Sequence, residues 1–393
     1  MSEIHIKDFE QALERNELVF YYQPKVSLIN GRVNGAEALI RWIKPDGRVI
    51  QPKDFIPEAE RSGFIKKISI KMFPKLIDDL VIIQSFNAEL VMSFNLTAQD
   101  FEVDTMVECI RDGIKNYRVK PEHLQVELTE TSLINSSGNA RHNINSLLQM
   151  GIGLAMDDYG TGYSSIDLLS QWPFSVVKLD QGLIQRMLTS DKSTTIVKAS
   201  ILMAHQLGIK IIAEGIESGN VYDFLLNEGC SEVQGYWLGY PMPLLDFLTF
   251  IKRDRRWSGM PIGLIHMAEI DHIQWRRTLV EQVMAKIINA STVNTIQSVE
   301  AELNHRHCKL GQWYYSYGQE FKGFPAFDAL ETPHRQLHEL GTELVNAANQ
   351  SVSRDEITRL LRLLTRKSGE VLGLLQELEN DALLEISGFK EPQ

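Results

Sequence analysis

Four short runs, LQVELTE (124–130), IGLAMDD (152–158), SVVKLD (175–180) and KIIAEG (210–215), decide the fold. Each is β-rich and too short for a helix. Each reaches a charged side chain at or near its end, and longer amphipathic stretches separate one from the next, the pattern of strands joined by crossover helices. Working outward, the alternation runs back through LVMSFNLT (90–97), VNGAEALIRW (33–42) and VFYYQPKVSL (19–28), and forward to EVQGYW (232–237). Helical patterns at 134–150, 182–207 and 218–228 fill gaps between them, and eight strands so arranged predict a closed α/β barrel. The first two strands depart from this pattern. Only Ile29-Asn30-Gly31-Arg32 separates them, and Asn-Gly between apolar runs signals a hairpin, so the barrel is expected to be modified by one antiparallel pair.

The placement of the acids carries the functional reading. Glu37, Asn95, Glu127, Asp157 with Asp158, Lys178, Glu214 and Gln234 lie on or just after seven successive strand runs. Barrel active sites form at the C-terminal strand ends, so these groups converge on one mouth. Converging carboxylates need a compensating cation, and an all-oxygen cluster suits a hard ion such as Mg²⁺ or Mn²⁺. Adjacent Asp157 and Asp158 can share a ligand between two ions about 3.5–4 Å apart, the arrangement that activates water and supports in-line displacement at phosphorus. A single Glu after a strand is more often a helix cap or a surface ion-pair partner, but seven coincident strand ends outweigh that reading. Lys178 at the mouth is placed to steady phosphoryl oxygens. The segment DDYGTGYSS (157–165) has the glycines and hydroxyls of a loop that closes over an anion, and of a plain surface loop.

Composition narrows the classes further. The 393 residues carry a net charge of −11, so phosphate neutralisation by excess Lys and Arg is excluded and no DNA or RNA partner is expected. The one basic cluster, KRDRR (252–256), reads as a solvated helix end. The charged N-terminus has no signal-type apolar core, and no run approaches the roughly 18 apolar residues that span a bilayer, so a cytoplasmic protein without membrane insertion is expected. Cys109, Cys230 and Cys308 are too few and too scattered for a disulfide framework.

IKRDRRWSGMPI (251–262) breaks the alternation and reads as a linker between a barrel (1–250) and a second domain (263–393). Beyond it, segments 266–290, 298–318, 333–349 and 355–385 carry apolar residues at helical spacing, which predicts an all-α four-helix bundle. His334 and His338 lie four apart on one helical face and can chelate one ion. A tetrahedral zinc site needs two more ligands; the Cys308 thiolate suits Zn²⁺, and His266, His272, His305 and His307 compete for the fourth place.

The motifs YQPKV, EALIRW, FIPEAE, FNLTAQ, ELTET, MDDYGTGYSS, VKLD, AEGIE and EGCSEVQGYWLGYPMP, in this order across about residues 5–250, resemble the EAL domain family of cyclic di-GMP phosphodiesterases. The resemblance implies a modified TIM barrel that hydrolyses cyclic di-GMP to linear pGpG with two Mg²⁺ or Mn²⁺ ions. By position it implies Glu37, Asn95, Glu127 and Asp157 at one metal, and Asp157, Asp158 and Glu214 at the other. Lys178 falls beside the attacking water, with Glu214 as an alternative base. Gln23, Leu39, Arg41, Asp180, Glu217 and Gln234 fall at the substrate, and Glu130 anchors the loop after Asp158. No metal or lysine position is substituted; Thr97, Tyr159 and Gln181-Gly182 are mild departures.

EIDHIQWRRTL, HCKLGQWYYSYG and FPAFDALETPHRQLH look like the CZB domain, a zinc-binding four-helix bundle of bacterial chemoreceptors and cyclic di-GMP enzymes. That resemblance implies zinc on His272, Cys308, His334 and His338, with His305 and His307 solvated. Together the two resemblances imply a homodimeric phosphodiesterase whose activity responds to zinc, with a zinc-responsive cyclic di-GMP receptor of negligible turnover as the alternative.

Overall fold

The expected runs form strands β1 (Leu18–Ser27), β2 (Val33–Ile43), β3 (Val49–Ile50), β4 (Val91–Asn95), β5 (Leu124–Thr129), β6 (Gly153–Tyr159), β7 (Val176–Leu179), β8 (Lys210–Ala213), β9 (Glu232–Gln234) and β10 (Met242–Pro243). This is a computed structural model, and it describes residues 5–117, 119–134, 138–160, 165–257, 259–287, 301–350 and 352–387. Eight strands close a ring in the order β1-β9-β8-β7-β6-β5-β4-β2, with β2 pairing back to β1; β3 and β10 are short additions at its rim. The chain divides into two compact units, residues 1–225 with 230–258, and residues 259–393 with 226–229.

β1 is antiparallel to β2 and also to β9, so the hairpin is half of the departure from an all-parallel barrel. A closed ring allows nothing else, because one reversed strand opposes both neighbours. In the connection from β1 to β2, Gly31 takes φ +65°, and a Cβ there would sit 2.2 Å from the Trp257 carbonyl oxygen. The expected helix 182–207 is two helices, Gln181–Met187 and Asp191–Leu207, because Ser190 caps the second by accepting a hydrogen bond from the Ser193 amide. Residues 251 and 252, read as linker, are the last turn of the helix Leu244–Lys252, which buries Phe247 and Leu248.

Register explains the barrel interior. Gln23 pairs with Glu37 across β1 and β2, Lys25 with Gln234 across β1 and β9, and Asn95 with Glu127 across β4 and β5. Side chains alternate along each strand, so Gln23 and Lys25 share a face, as do Gln125 and Glu127. That face is buried and polar: Lys25, Ser93, Gln125, Glu127, Lys178 and Gln234 stand where barrels usually stack branched apolar side chains.

In the second unit the long helices are Ile262–Ile287, Pro325–Asn349 and Arg354–Ser387. Their buried seams recur at three- and four-residue steps, through Ile265, Ala268, Leu279 and Val283, through Leu330, Leu337 and Leu344, and through Leu360, Leu364, Val371 and Leu375. His272, His334, His338 and Ser368 interrupt those seams and are also buried. The expected helix over 298–318 is shorter. Among its described residues only Lys309–Tyr315 is α-helical, followed by a 3-10 turn Tyr317–Phe321. The reason is local: the Asn304 carbonyl takes the Cys308 amide, and the Asn304 side chain takes the Arg306 amide, turning the chain before Cys308.

Candidate active site

Lys178 on β7 organises the barrel mouth. Its Nζ lies 2.5 Å from Glu127 Oε2, 2.6 Å from Glu214 Oε1, 3.0 Å from Asp157 Oδ1 and 3.5 Å from Glu37 Oε2, and the side chain is only 1% exposed. Thus carboxylates from four separate strand ends meet on one ammonium group. Asn95 donates to Glu37 Oε1 at 2.7 Å, and Gln234 donates to Glu37 Oε2 at 2.7 Å and to Gln23 Oε1 at 3.0 Å. Asp157 Oδ1 is buried and has no aligned hydrogen bond despite its closeness to Nζ, which leaves an acceptor facing the cluster.

Lys25 is the residue that sequence reading passed over. It is buried on β1, with Nζ 2.8 Å from Glu127 Oε1 and 2.6 Å from Ser93 Oγ. The available signal was the strand alternation in YQPKV, which puts Lys25 on the same face as Gln23. Replacing Lys25 by Met leaves Glu127 short of one cation in a dry interior, so unfolding in urea is expected to show a loss of about 3 kcal/mol. An unchanged midpoint and slope would count against this pairing.

The electrostatics follow from burial and these contacts. Burial opposes ionisation of Glu127, yet Lys178 and Lys25 overcome that penalty and hold its carboxyl well below the ordinary range. Burial also opposes the charge of Lys178, but Asp157, Glu127, Glu214 and Glu37 keep its pKa well above the usual lysine value. Burial, reinforced by Glu127, raises Glu37; burial with Asp157 and Glu37 nearby, partly offset by Lys178, raises Glu214 to about 8. Asp158 is raised by burial and by neighbouring Asp157 and Asp180. It takes φ +59° beside a register shift between β6 and β7, a backbone state that costs a non-glycine residue about 1 kcal/mol.

A cleft of about 220 Å³ opens over this cluster and is lined by Gln23, Glu37, Leu39, Asp157, Lys178, Glu214, Glu217 and Gln234, among others. Glu217 is exposed at its edge and accepts from Gln185 at 3.2 Å. An apolar recess of about 340 Å³, walled by Ile56, Pro57, Met72 and Phe94, shares Leu39 with the cleft and also reaches Asn95. Arg41 and Asp180 do not line the cleft. Arg41 packs 5.7 Å from the Tyr21 ring centroid, and Asp180 caps the helix Gln181–Met187 by accepting from the Leu183 amide at 3.1 Å. Glu130 is buried at the end of β5, and residues 161–164 of the expected closing loop lie outside the described residues.

The second unit holds another group. Ligand atoms of Cys308, His334 and His338 lie within 4.8 Å of one another; Cys308 Sγ is 3.3 Å from His334 Nε2, and His338 Nδ1 faces the Leu303 carbonyl at 3.1 Å. Burial lowers His334 to about 3 and His338 to about 4, and raises the Cys308 thiol to about 12. Two neutral imidazoles and a sulfur in a dry pocket are the donor set for a borderline-soft ion such as Zn²⁺. His272 does not join the group. It is buried and its Nε2 faces Ser368 Oγ at 2.8 Å. His305, expected to be solvated, is half-buried with its ring centroid 6.1 Å from that of His334.

A closed barrel with one reversed strand and a ring of strand-end acids defines a class of acid-mouthed α/β barrels. The chain belongs to the EAL domain family, which matches residues 6–241, and a chemoreceptor zinc-binding domain matches residues 272–345. It is 34% identical over 247 residues to the bifunctional diguanylate cyclase/cyclic di-GMP phosphodiesterase MucR of Pseudomonas aeruginosa, covering 63% of this chain and 36% of the relative. It is also 34% identical over 245 residues to the cyclic di-GMP phosphodiesterase RocR of the same organism, covering 62% of each. The chain therefore spans about a third to two thirds of the length of these relatives. The structure of the PaMucR phosphodiesterase in complex with c-di-GMP aligns with a TM-score of 0.58 at 34% identity, covering 62% of this chain and 98% of that one. No described helix is long and apolar enough to cross a membrane.

Proposed function

We propose that the barrel hydrolyses cyclic di-GMP to linear pGpG and that the second unit binds zinc and tunes that activity. The observation that carries the first reading is the convergence of Glu37, Glu127, Asp157 and Glu214 on Lys178 at the floor of an open cleft. Five acids, counting Asp158, face two buried lysines, and the buried Asp157 Oδ1 without an aligned hydrogen bond, together with the hard oxygen donors, fits Mg²⁺ or Mn²⁺. Glu37, Asn95, Glu127, Asp157, Asp158 and Glu214 would hold such ions, which supply charge stabilisation at phosphorus and a more acidic water.

The chain's own residues do the rest. The surrounding carboxylates favour the charged form of Lys178, which places an N–H donor beside an oxygen on the reacting phosphate or beside the attacking water. Glu214 lines the same cleft and takes the proton from that water in its ionised form, which Lys178 beside it and a bound cation favour against the burial that raises its pKa. Asn95 and Gln234 fix both oxygens of Glu37, and Gln23 orients Gln234 in turn. Water adds to phosphorus as the bond to the ribose 3′ oxygen breaks, leaving pGpG. The apolar recess beyond Leu39 is shaped to receive one of the two purine bases.

The test is turnover of cyclic di-GMP by the purified chain in Mg²⁺ and in Mn²⁺, with Glu37→Ala alongside. Product pGpG from the parent is expected, with a loss of about a thousandfold in the variant. Nucleotide binding with no product in either metal would move the assignment to a receptor. The zinc reading rests on the Cys308, His334 and His338 group, with His272 as the fourth ligand once it leaves Ser368 or turns its other nitrogen inward. Zinc alters turnover only by favouring one of two arrangements of the protein. Chelation followed by Zn²⁺ addition at fixed Mg²⁺ reads this coupling, and the expected homodimer is tested by mass in solution.

A further inference from the structure

Below the acid cluster a second ammonium group is held by three acceptors. Lys25 pairs with Gly35, which precedes Glu37 by two residues on β2, so it stands one layer deeper in the barrel than the Glu37 carboxylate. Its Nζ carries three N–H groups and meets Ser93 Oγ at 2.6 Å, Glu127 Oε1 at 2.8 Å and, more loosely, Gln125 Oε1 at 3.5 Å. The Ser93 hydroxyl donates in turn to the Ala36 carbonyl at 3.4 Å. With 3% of its surface exposed, Lys25 cannot exchange these partners for solvent. Lys178 holds the other oxygen of Glu127 differently. It lies 2.5 Å from Oε2 but has four carboxylates for its three N–H groups, and it lines the cleft, which Lys25 and Glu127 do not. Oε2 can therefore be shared with an ion in the cleft, whereas Oε1 is committed to Lys25.

We propose that Lys25 is a positioning residue that sets the metal preference of the barrel by keeping Glu127 a one-oxygen ligand. This inference rests on the metal-dependent activity proposed above. Mg²⁺ demands a near-ideal octahedron, which the narrow bite of a two-oxygen carboxylate distorts; Ca²⁺ takes roughly six to eight oxygens in a flexible shell and accepts both from one carboxylate. An ammonium group on Oε1 thus withholds the oxygen by which Ca²⁺ would gain most. A purely structural ion pair would stabilise the fold and leave the two ions bound in the same ratio.

The experiment measures how Mg²⁺ and Ca²⁺ displace Mn²⁺ from the parent chain, Lys25→Met and Ser93→Ala, following free Mn²⁺ by electron paramagnetic resonance without nucleotide. The ratio of Ca²⁺ to Mg²⁺ affinity is expected to rise about tenfold in Lys25→Met, the lower end of the effect of removing a group that orients a metal ligand. Ser93→Ala removes an anchor of Lys25 and no contact to Glu127, so it is expected to lose stability and keep the parent's ratio. An unmoved ratio in folded Lys25→Met, or an equal rise in Ser93→Ala, would overturn the selectivity role. A crystal structure of the parent with Ca²⁺ tests the same point without a variant. Glu127 is expected to ligate through Oε2 alone with Oε1 still on Lys25, and ligation through both oxygens would overturn the proposal. A parent chain that binds no Mn²⁺ would overturn the metal-dependent reading and this role with it.

Discussion

Replacing Lys178 by alanine is expected to lower cyclic di-GMP turnover by about a thousandfold and to destabilise the barrel by about 3 kcal/mol. The two effects have one source. Four carboxylates lie within 3.5 Å of Nζ, and Lys178 and Glu127 are closed to solvent while Asp157 and Glu214 reach the cleft. Without the ammonium group Glu127 keeps Lys25, but buried Glu37 and partly buried Asp157 and Glu214 lose their close cation and remain among like charges. Uncompensated buried charge is costly because little solvent reaches it. A divalent ion restores positive charge at the same place, so Mn²⁺ should raise the melting temperature of the variant more than that of the parent, by the linkage of binding to folding. Activity should not return, because an ion restores the charge balance without replacing the donor aimed at the reacting oxygen. Turnover within tenfold of the parent would remove Lys178 from the chemistry. A melting temperature equal to the parent's would show that the acids are balanced some other way.

Much of this cluster was legible in the sequence because a barrel converts strand ends into neighbours. Glu37, Asn95, Glu127, Asp157, Lys178 and Gln234 are far apart along the chain, yet each lies on its strand and needs only the closed ring to meet the others. Lys25 was not legible in the same way. It lies on the reversed strand, whose mouth-facing residues come before its end, so a rule about C-terminal strand ends passes over it. Asp180, which the family resemblance and not the strand-end rule put at the substrate, follows β7 and caps the next helix with its carboxylate. In the second unit, i to i+4 spacing correctly brought His334 and His338 together, because both lie on one helix. The partner of His272 is Ser368, on another helix, and helix-to-helix register is set by core packing that no local spacing reveals. His305 was misread for a related reason: it lies in the turn before Cys308, where neither helical nor strand periodicity reports burial.

Replacing His334 by alanine is expected to weaken zinc binding by about a hundredfold or more. Structural zinc sites bind with roughly 10–16 kcal/mol over four ligands, so one ligand accounts for about 3 kcal/mol and a tenfold loss follows from each 1.4 kcal/mol. His334 is the ligand to remove because its Nε2 directly faces Cys308 Sγ, so it sets the short edge of the proposed site. Competition against a chromophoric chelator gives the affinity, and Co²⁺ substitution gives a thiolate charge-transfer band that should weaken as the site opens. The stability consequence is separable from any effect on turnover. At a zinc concentration about a thousand times Kd, binding adds about 4 kcal/mol to the parent, and that increment should largely vanish in His334→Ala. His272→Ala distinguishes two geometries for the fourth position. A loss as large as that in His334→Ala means His272 leaves Ser368 or offers its other nitrogen to the ion; full retention of affinity would leave the fourth place to another group, for which the His305 imidazole, 6.1 Å from that of His334 between centroids, is a candidate. Because the helical seams meet around these side chains, an ion held there ties three helices together through their buried faces.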